Sequence, residues 1–96
     1  MTYKPNPIDT STIQLPNDIL EDAQTLAKNT HEVWAKGKLS DGYTFGLETS
    51  EEKKTHKNLV PYEALSPEDK AYDINTSLET IKVLLKLGYT IGRTDK

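Results

Sequence analysis

Cysteine is absent from the 96-residue chain, so neither a disulfide nor a thiolate metal site holds it together. Long apolar runs are missing too: nothing approaches the ~20 residues that a membrane-spanning helix needs. The opening MTYKPNPIDTS has no apolar stretch of the secretory kind, and a cytoplasmic protein is the expectation. A basic excess is also lacking, since 12 Lys and Arg stand against 15 Asp and Glu for a net charge of −3. Duplex nucleic acid calls for clustered cations, and the densest charged run, Glu51-Glu52-Lys53-Lys54, is mixed in sign. Neither nucleic acid nor membrane is expected as a partner. Apolar residues are scarce as well, at 34% with a mean hydropathy of −0.68. Helical periodicity nevertheless argues against disorder. One domain over residues 1–96 is expected, with its core at about 7–91 and flexible ends at 1–6 and 92–96. A chain of this length supports one modest core, and a partner is expected to supply further burial.

Catalytic constellations are missing in turn. His31-Glu32 begins like a zinc-protease motif, but the second histidine belongs four positions on, where Ala35 stands. His56 is the only other histidine and sits in a polar stretch. No serine occupies a nucleophile elbow, and no glycine-rich loop is built to cradle phosphate. The carboxylates gather at solvated helix starts. The expectation is a protein that is not an enzyme, with no metal and no cofactor.

What is present is helical. From Pro16, the apolar residues Ile19, Leu20, Ala23, Leu26, Ala27, Val33 and Trp34 recur at helical spacing, with Gly37 as the expected stop. LSDGYTFGLE follows, where the Asp41-Gly42 turn signal and the alternation of Tyr43, Phe45 and Leu47 predict a short strand or hairpin. LVPYEAL reads as an edge strand or extended loop, because Pro61 cannot donate to a ladder. SPED then opens a second helix with Ser66 as cap and Pro67 at its first position. Ala71, Ile74, Leu78, Ile81 and Leu85 continue it to Gly88, and a break is expected near Ile74 among poor helix formers. Tyr89 and Ile91 suit a terminal strand. The fold class is therefore mainly α with short β-strands (α+β): two principal helices joined by a short hairpin and an extended loop.

One stretch concentrates chemistry. HEVWAKGK, residues 31–38, holds the only tryptophan. At about 100° per residue, His31, Trp34 and Lys38 fall along one side of the first helix. An indole beside an imidazole and a cation suits a flat aromatic ligand with an anionic tail. The same residues also read as scaffold: a core tryptophan, a hydrogen-bonded histidine, and a lysine compensating a helix dipole. Tyr43, Phe45 and Tyr62 read as core or cleft wall.

The chain also resembles the RyR domain, the repeat named after ryanodine receptors. The resemblance rests on PIDTS (7–11), LP (15–16), LAKNTHEVWA (26–35), GYTFG (42–46), KTHKNLVPYEAL (54–65), AYD (71–73) and TSLETIKVLLKLGYTIG (76–92), in that order. Departures are few. Tyr43 stands where the family often has tryptophan, Lys57 where proline is common, and Lys38 where arginine is frequent. The resemblance implies a single stand-alone repeat of prokaryotic or phage type, a group read as sensors of nucleotide-derived signals. It implies pairing with a second copy, because receptor repeats occur as pseudo-two-fold pairs. It further implies an adenine-nucleotide or ADP-ribose-like ligand in a cleft beside Trp34. On that reading Trp34 stacks the base, while Lys38 and Arg93 meet phosphate. His31, Tyr43 and Tyr62 line the walls, and Glu63 accepts from ribose or amine groups. The alternative is a structural or protein–protein interaction module with no small-molecule ligand.

Overall fold

A computed structural model describes residues 2–95; Met1 and Lys96, at the ends expected to be flexible, lie outside the described residues. Pro16 precedes a short helix, α1, spanning Asn17–Glu21. The chain then steps through Asp22, at φ −90° and ψ 6°, into α2, spanning Ala23–Ser40. The single helix expected here is thus divided near its start and runs longer at its end. Gly37 does not stop it. The left-handed position falls instead at Gly42, at φ 90°. Gly42 N–H reaches the Leu39 carbonyl at 3.0 Å, and Tyr43 N–H reaches that of Lys38 at 3.0 Å. This pair of bonds is the glycine-dependent helix ending known as the Schellman motif. The same geometry closes the last helix, α3, spanning Pro67–Lys86, where Gly88 at φ 105° lets Tyr89 N–H reach the Leu84 carbonyl at 3.1 Å.

Two short strands follow α2: β1, Thr44–Phe45, and β2, Thr55–His56. They pair in parallel, Thr44 with Thr55 and Phe45 with His56, so of the short strand or hairpin expected here the strand forms and the hairpin does not. The physical reason is local. Asp41-Gly42 is consumed in ending α2, and the polar stretch after Thr49 offers no apolar return strand. Thr55 instead makes an antiparallel bridge back to Ser50. Gly46 lies so close to β2 that a Cβ there would meet Thr55 Cβ at 2.7 Å. Thr55 cannot swing aside freely, because its hydroxyl donates to the Glu48 carbonyl at 2.8 Å. Gly46→Ala is therefore expected to destabilise by about 1–3 kcal/mol, the usual cost of overpacking. Denaturant melts check this, and an unchanged midpoint would show that the loop yields.

After a bend at Val60, Pro61 leads into a single 3-10 turn, Tyr62–Ala64. Ser66 then caps α3, its Oγ accepting the Asp69 N–H at 3.1 Å. The expected break near Ile74 is absent. Ser77 and Thr80 send their hydroxyls to the carbonyls of Asp73 and Thr76, at 2.8 and 3.2 Å, so these residues are satisfied without leaving the helix. No terminal strand forms after Gly88, and Tyr89 remains exposed.

The principal packing is α2 against α3. Ala27, Tyr62 and Leu65 are the buried apolar residues, with Val60 and Ile74 packed on them. Thr30 and Ser77 join hydroxyls across the helices at 2.8 Å. The N-terminal segment straps along α3: buried Thr10 donates to Glu79 Oε2 at 2.7 Å, and Lys86 Nζ donates to the Asp9 carbonyl. The result is a slab of 45 × 43 × 24 Å with a radius of gyration of 16.3 Å, against about 12.5 Å for a compact chain of this length. Its accessible surface of 7635 Å² likewise exceeds the roughly 5,500 Å² typical of this mass. Among the described residues, no helix is long and apolar enough to cross a membrane.

Candidate functional site

The α2–α3 contact fixes which side of α2 faces inward. His31 lies on that side and is 4% exposed. Its Nε2 donates to the Val60 carbonyl at 2.7 Å; because a carbonyl only accepts, this bond sets the ring's tautomer. Trp34, one turn on, is half-buried. Its ring stacks against His31, with centroids 5.6 Å apart and planes 28° apart. It also meets His56 edge-on at 4.7 Å. The indole is thus gripped by two imidazoles while part of it faces solvent.

His56 comes from β2. Its Nδ1 accepts the Asn58 N–H at 3.0 Å, which leaves the neutral ring's proton on Nε2. Burial pushes its pKa below the usual histidine value, and the charges of Lys38 and Lys57 push the same way, against the weaker pull of Asp69. Lys38 Nζ sits 4.4 Å above the Tyr43 ring, a cation–π contact. Neither Lys38 nor Lys57 has a carboxylate ion-pair partner among the described residues.

The other residues singled out from the sequence are placed differently. Tyr62 is 4% exposed; its ring lies 6.3 Å from that of His31, and its hydroxyl donates to Gln24 at 3.3 Å. Burial raises its pKa. Glu63, next in sequence, points outward and pairs with Lys28 at 3.0 Å. Its own backbone N–H, and then Lys28, hold its carboxyl below the usual range. Arg93 forks onto Asp95, with two bonds of 3.0 Å. The structure therefore brings Trp34, His31, Lys38 and Tyr43 together, with Tyr62 behind His31, while Glu63 and Arg93 are engaged by neighbours of their own.

Sequence reasoning missed two members of the group. His56 reads as part of a polar stretch, and Lys57 enters only as a departure from the family pattern. Nothing in the hydropathy pattern marks them, because their position depends on the parallel pairing of β2 with β1.

Chemically, the group offers a flat π surface, the Nε2–H of neutral His56 and, among the described residues, cations without carboxylate ion-pair partners. Three depressions elsewhere on the surface are lined by none of the seven predicted residues. One of them, of about 420 Å³, is an apolar groove including Ala35, Leu39, Phe45, Leu59, Val60 and Pro61. Residues 3–93 match the RyR domain family. The match takes in all three α-helices, both strands and the whole Trp34 cluster, and the chain belongs to the RyR domain family.

Proposed function

We propose that this ryanodine-receptor-repeat-like module is a non-enzymatic binding domain. Its ligand is an adenine nucleotide or an ADP-ribose-like molecule held beside Trp34. The observation that carries the reading is the part-open indole, braced by His31 and His56, with Lys38 close by and, among the described residues, without a carboxylate ion-pair partner. Trp34 stacks the base, a contact that every purine offers. Lys38 meets the phosphate. Tyr43 holds the Lys38 side chain in place from below. His31 and Tyr62 support the indole from within the core and do not touch ligand in the isolated chain.

Lys38→Ala tests the division of labour. Titration calorimetry with AMP and adenosine is expected to show AMP weakened about tenfold or more, the cost of one charge-assisted hydrogen bond, with adenosine unchanged. An equal loss for both would contradict the phosphate role.

The module also pairs with a second copy of itself on this reading. Surface excess supports pairing: roughly 2,000 Å² lies beyond the norm for this mass, whereas a standard interface takes about 800 Å² from each partner. Leu39, Phe45 and Leu47, at 59%, 52% and 88% exposure, lie at or next to the apolar groove and are residues that a second copy would cover. A single monomeric boundary in sedimentation at high micromolar concentration would contradict pairing. The same exposed residues favour the second reading, an interaction module without a small-molecule ligand. Saturable binding of any adenine compound separates the two.

A further inference from the structure

His56 is the one member of the Trp34 cluster whose charge is adjustable near neutral pH and whose ring is not locked onto the core. Its Nδ1 is occupied as an acceptor of the Asn58 N–H at 3.0 Å. A second proton has to enter at that nitrogen, so the imidazolium forms only when this bond is given up. Two lysines act on the ring, Lys38 from α2 and Lys57 from its own segment. Asp69 of α3 acts in the opposite sense, but its Oδ2 is also engaged by the Asn58 side-chain amide at 3.3 Å. Lys38 is fixed over Tyr43, and Tyr43 precedes β1, whose Phe45 pairs with His56. The strand pairing and the edge contact of His56 with Trp34 at 4.7 Å therefore hold the imidazole and Lys38 on one side of the indole, with Lys57 next to His56 in the chain.

That arrangement is balanced for an anion. In the free protein burial, and after it the charges of Lys38 and Lys57, hold the His56 pKa below its ordinary 6.5. A bound anion cancels the lysine charges and adds an attraction of its own. A full charge beside an imidazole outweighs one neutral backbone hydrogen bond, so the proton enters at Nδ1 from solvent and the Asn58 bond opens. We infer that Lys38, His56 and Lys57 form the anion subsite of the Trp34 cluster, taking the phosphate or pyrophosphate group of the ligand, and that His56 takes up one proton as that group binds. This rests on the ligand-binding reading above and adds two residues and a regulation to it.

The sign follows from linkage. A group that holds its proton more tightly in the complex makes binding stronger as pH falls, and the gain ends once the free protein is itself protonated. Because His56 in the free protein sits below its ordinary value of 6.5, the gain extends downward from about neutral pH.

The test uses ADP-ribose, whose pyrophosphate diester does not titrate near neutral pH, with adenosine as the phosphate-free control. Both are titrated calorimetrically at about pH 8 and about pH 5.5, in two buffers of different ionisation enthalpy. ADP-ribose is expected to bind about tenfold tighter at the lower pH, with heats that depend on the buffer because a proton is taken up. Adenosine is expected to show neither effect. His56→Gln should keep the weaker affinity and flatten the profile. Exposed Lys57→Ala should weaken ADP-ribose at both values, leave adenosine alone, and fold normally by circular dichroism. A flat wild-type profile, or a slope that survives in His56→Gln, overturns the proton linkage. ADP-ribose binding no tighter than adenosine overturns the anion subsite while leaving the stacking role of Trp34 standing. Failure of both compounds at both pH values overturns the ligand-binding reading itself.

Discussion

Tyr62→Ala is expected to cost about 3–5 kcal/mol of folding stability, the range for removing a buried aromatic ring. Small domains have only about 5–15 kcal/mol in total, so the variant should lose a large share of its stability. The size of the effect follows from how little core there is. Ala27, Tyr62 and Leu65 are the buried apolar side chains, and Tyr62 is much the largest of them. Its ring supports His31 at 6.3 Å and carries Lys70 Nζ 5.7 Å from its centroid. Tyr62→Phe should cost about 1 kcal/mol at most, since it removes only a long hydrogen bond to Gln24 and leaves the ring. Urea unfolding of the two variants separates packing from hydroxyl. A midpoint for Tyr62→Ala within experimental error of the parent would mean that the centre of stability lies elsewhere.

Trp34→Ala should behave in the opposite way, losing ligand more than fold. The indole is half-buried, so its removal is expected to cost about 2 kcal/mol, near half the figure for a fully buried ring. Stacking of a base on an aromatic side chain is worth about 1–3 kcal/mol, and affinity for adenine compounds should drop about ten- to hundredfold. Because the variant has no tryptophan, calorimetry reads the binding and circular dichroism the fold. Unchanged affinity in a folded variant would remove Trp34 from the site.

The contrast between Tyr62 and Glu63 shows where the sequence stops being informative. Tyr62 reads as core or cleft wall from the sequence, and the family resemblance places both residues beside the ligand. A single 3-10 turn sends one into the core and the other to Lys28 at the surface, and no periodicity marks a turn of that length. The long helices were legible because their signals are local and redundant. Ser66 and Pro67 start α3, Gly88 ends it, and apolar residues recur between. Gly37 misled because glycine both weakens helices and ends them, and only one of two nearby glycines can hold the left-handed position. The side of α2 shared by His31, Trp34 and Lys38 was visible from angular spacing alone. His56 was not, because it reaches Trp34 through a two-residue parallel pairing between polar segments. Such a contact depends on tertiary structure and leaves no pattern in the chain.

The central claim, that Trp34 faces a ligand, is tested most directly by its own fluorescence. As the only tryptophan, it reports on one place. The purified protein is titrated with ATP, AMP, ADP-ribose and cyclic ADP-ribose. Saturable quenching by at least one of these is expected, weaker or absent with the matching phosphate-free compound. A flat signal, with blue-shifted emission shielded from an added quencher, would contradict it and make HEVWAKGK part of the scaffold.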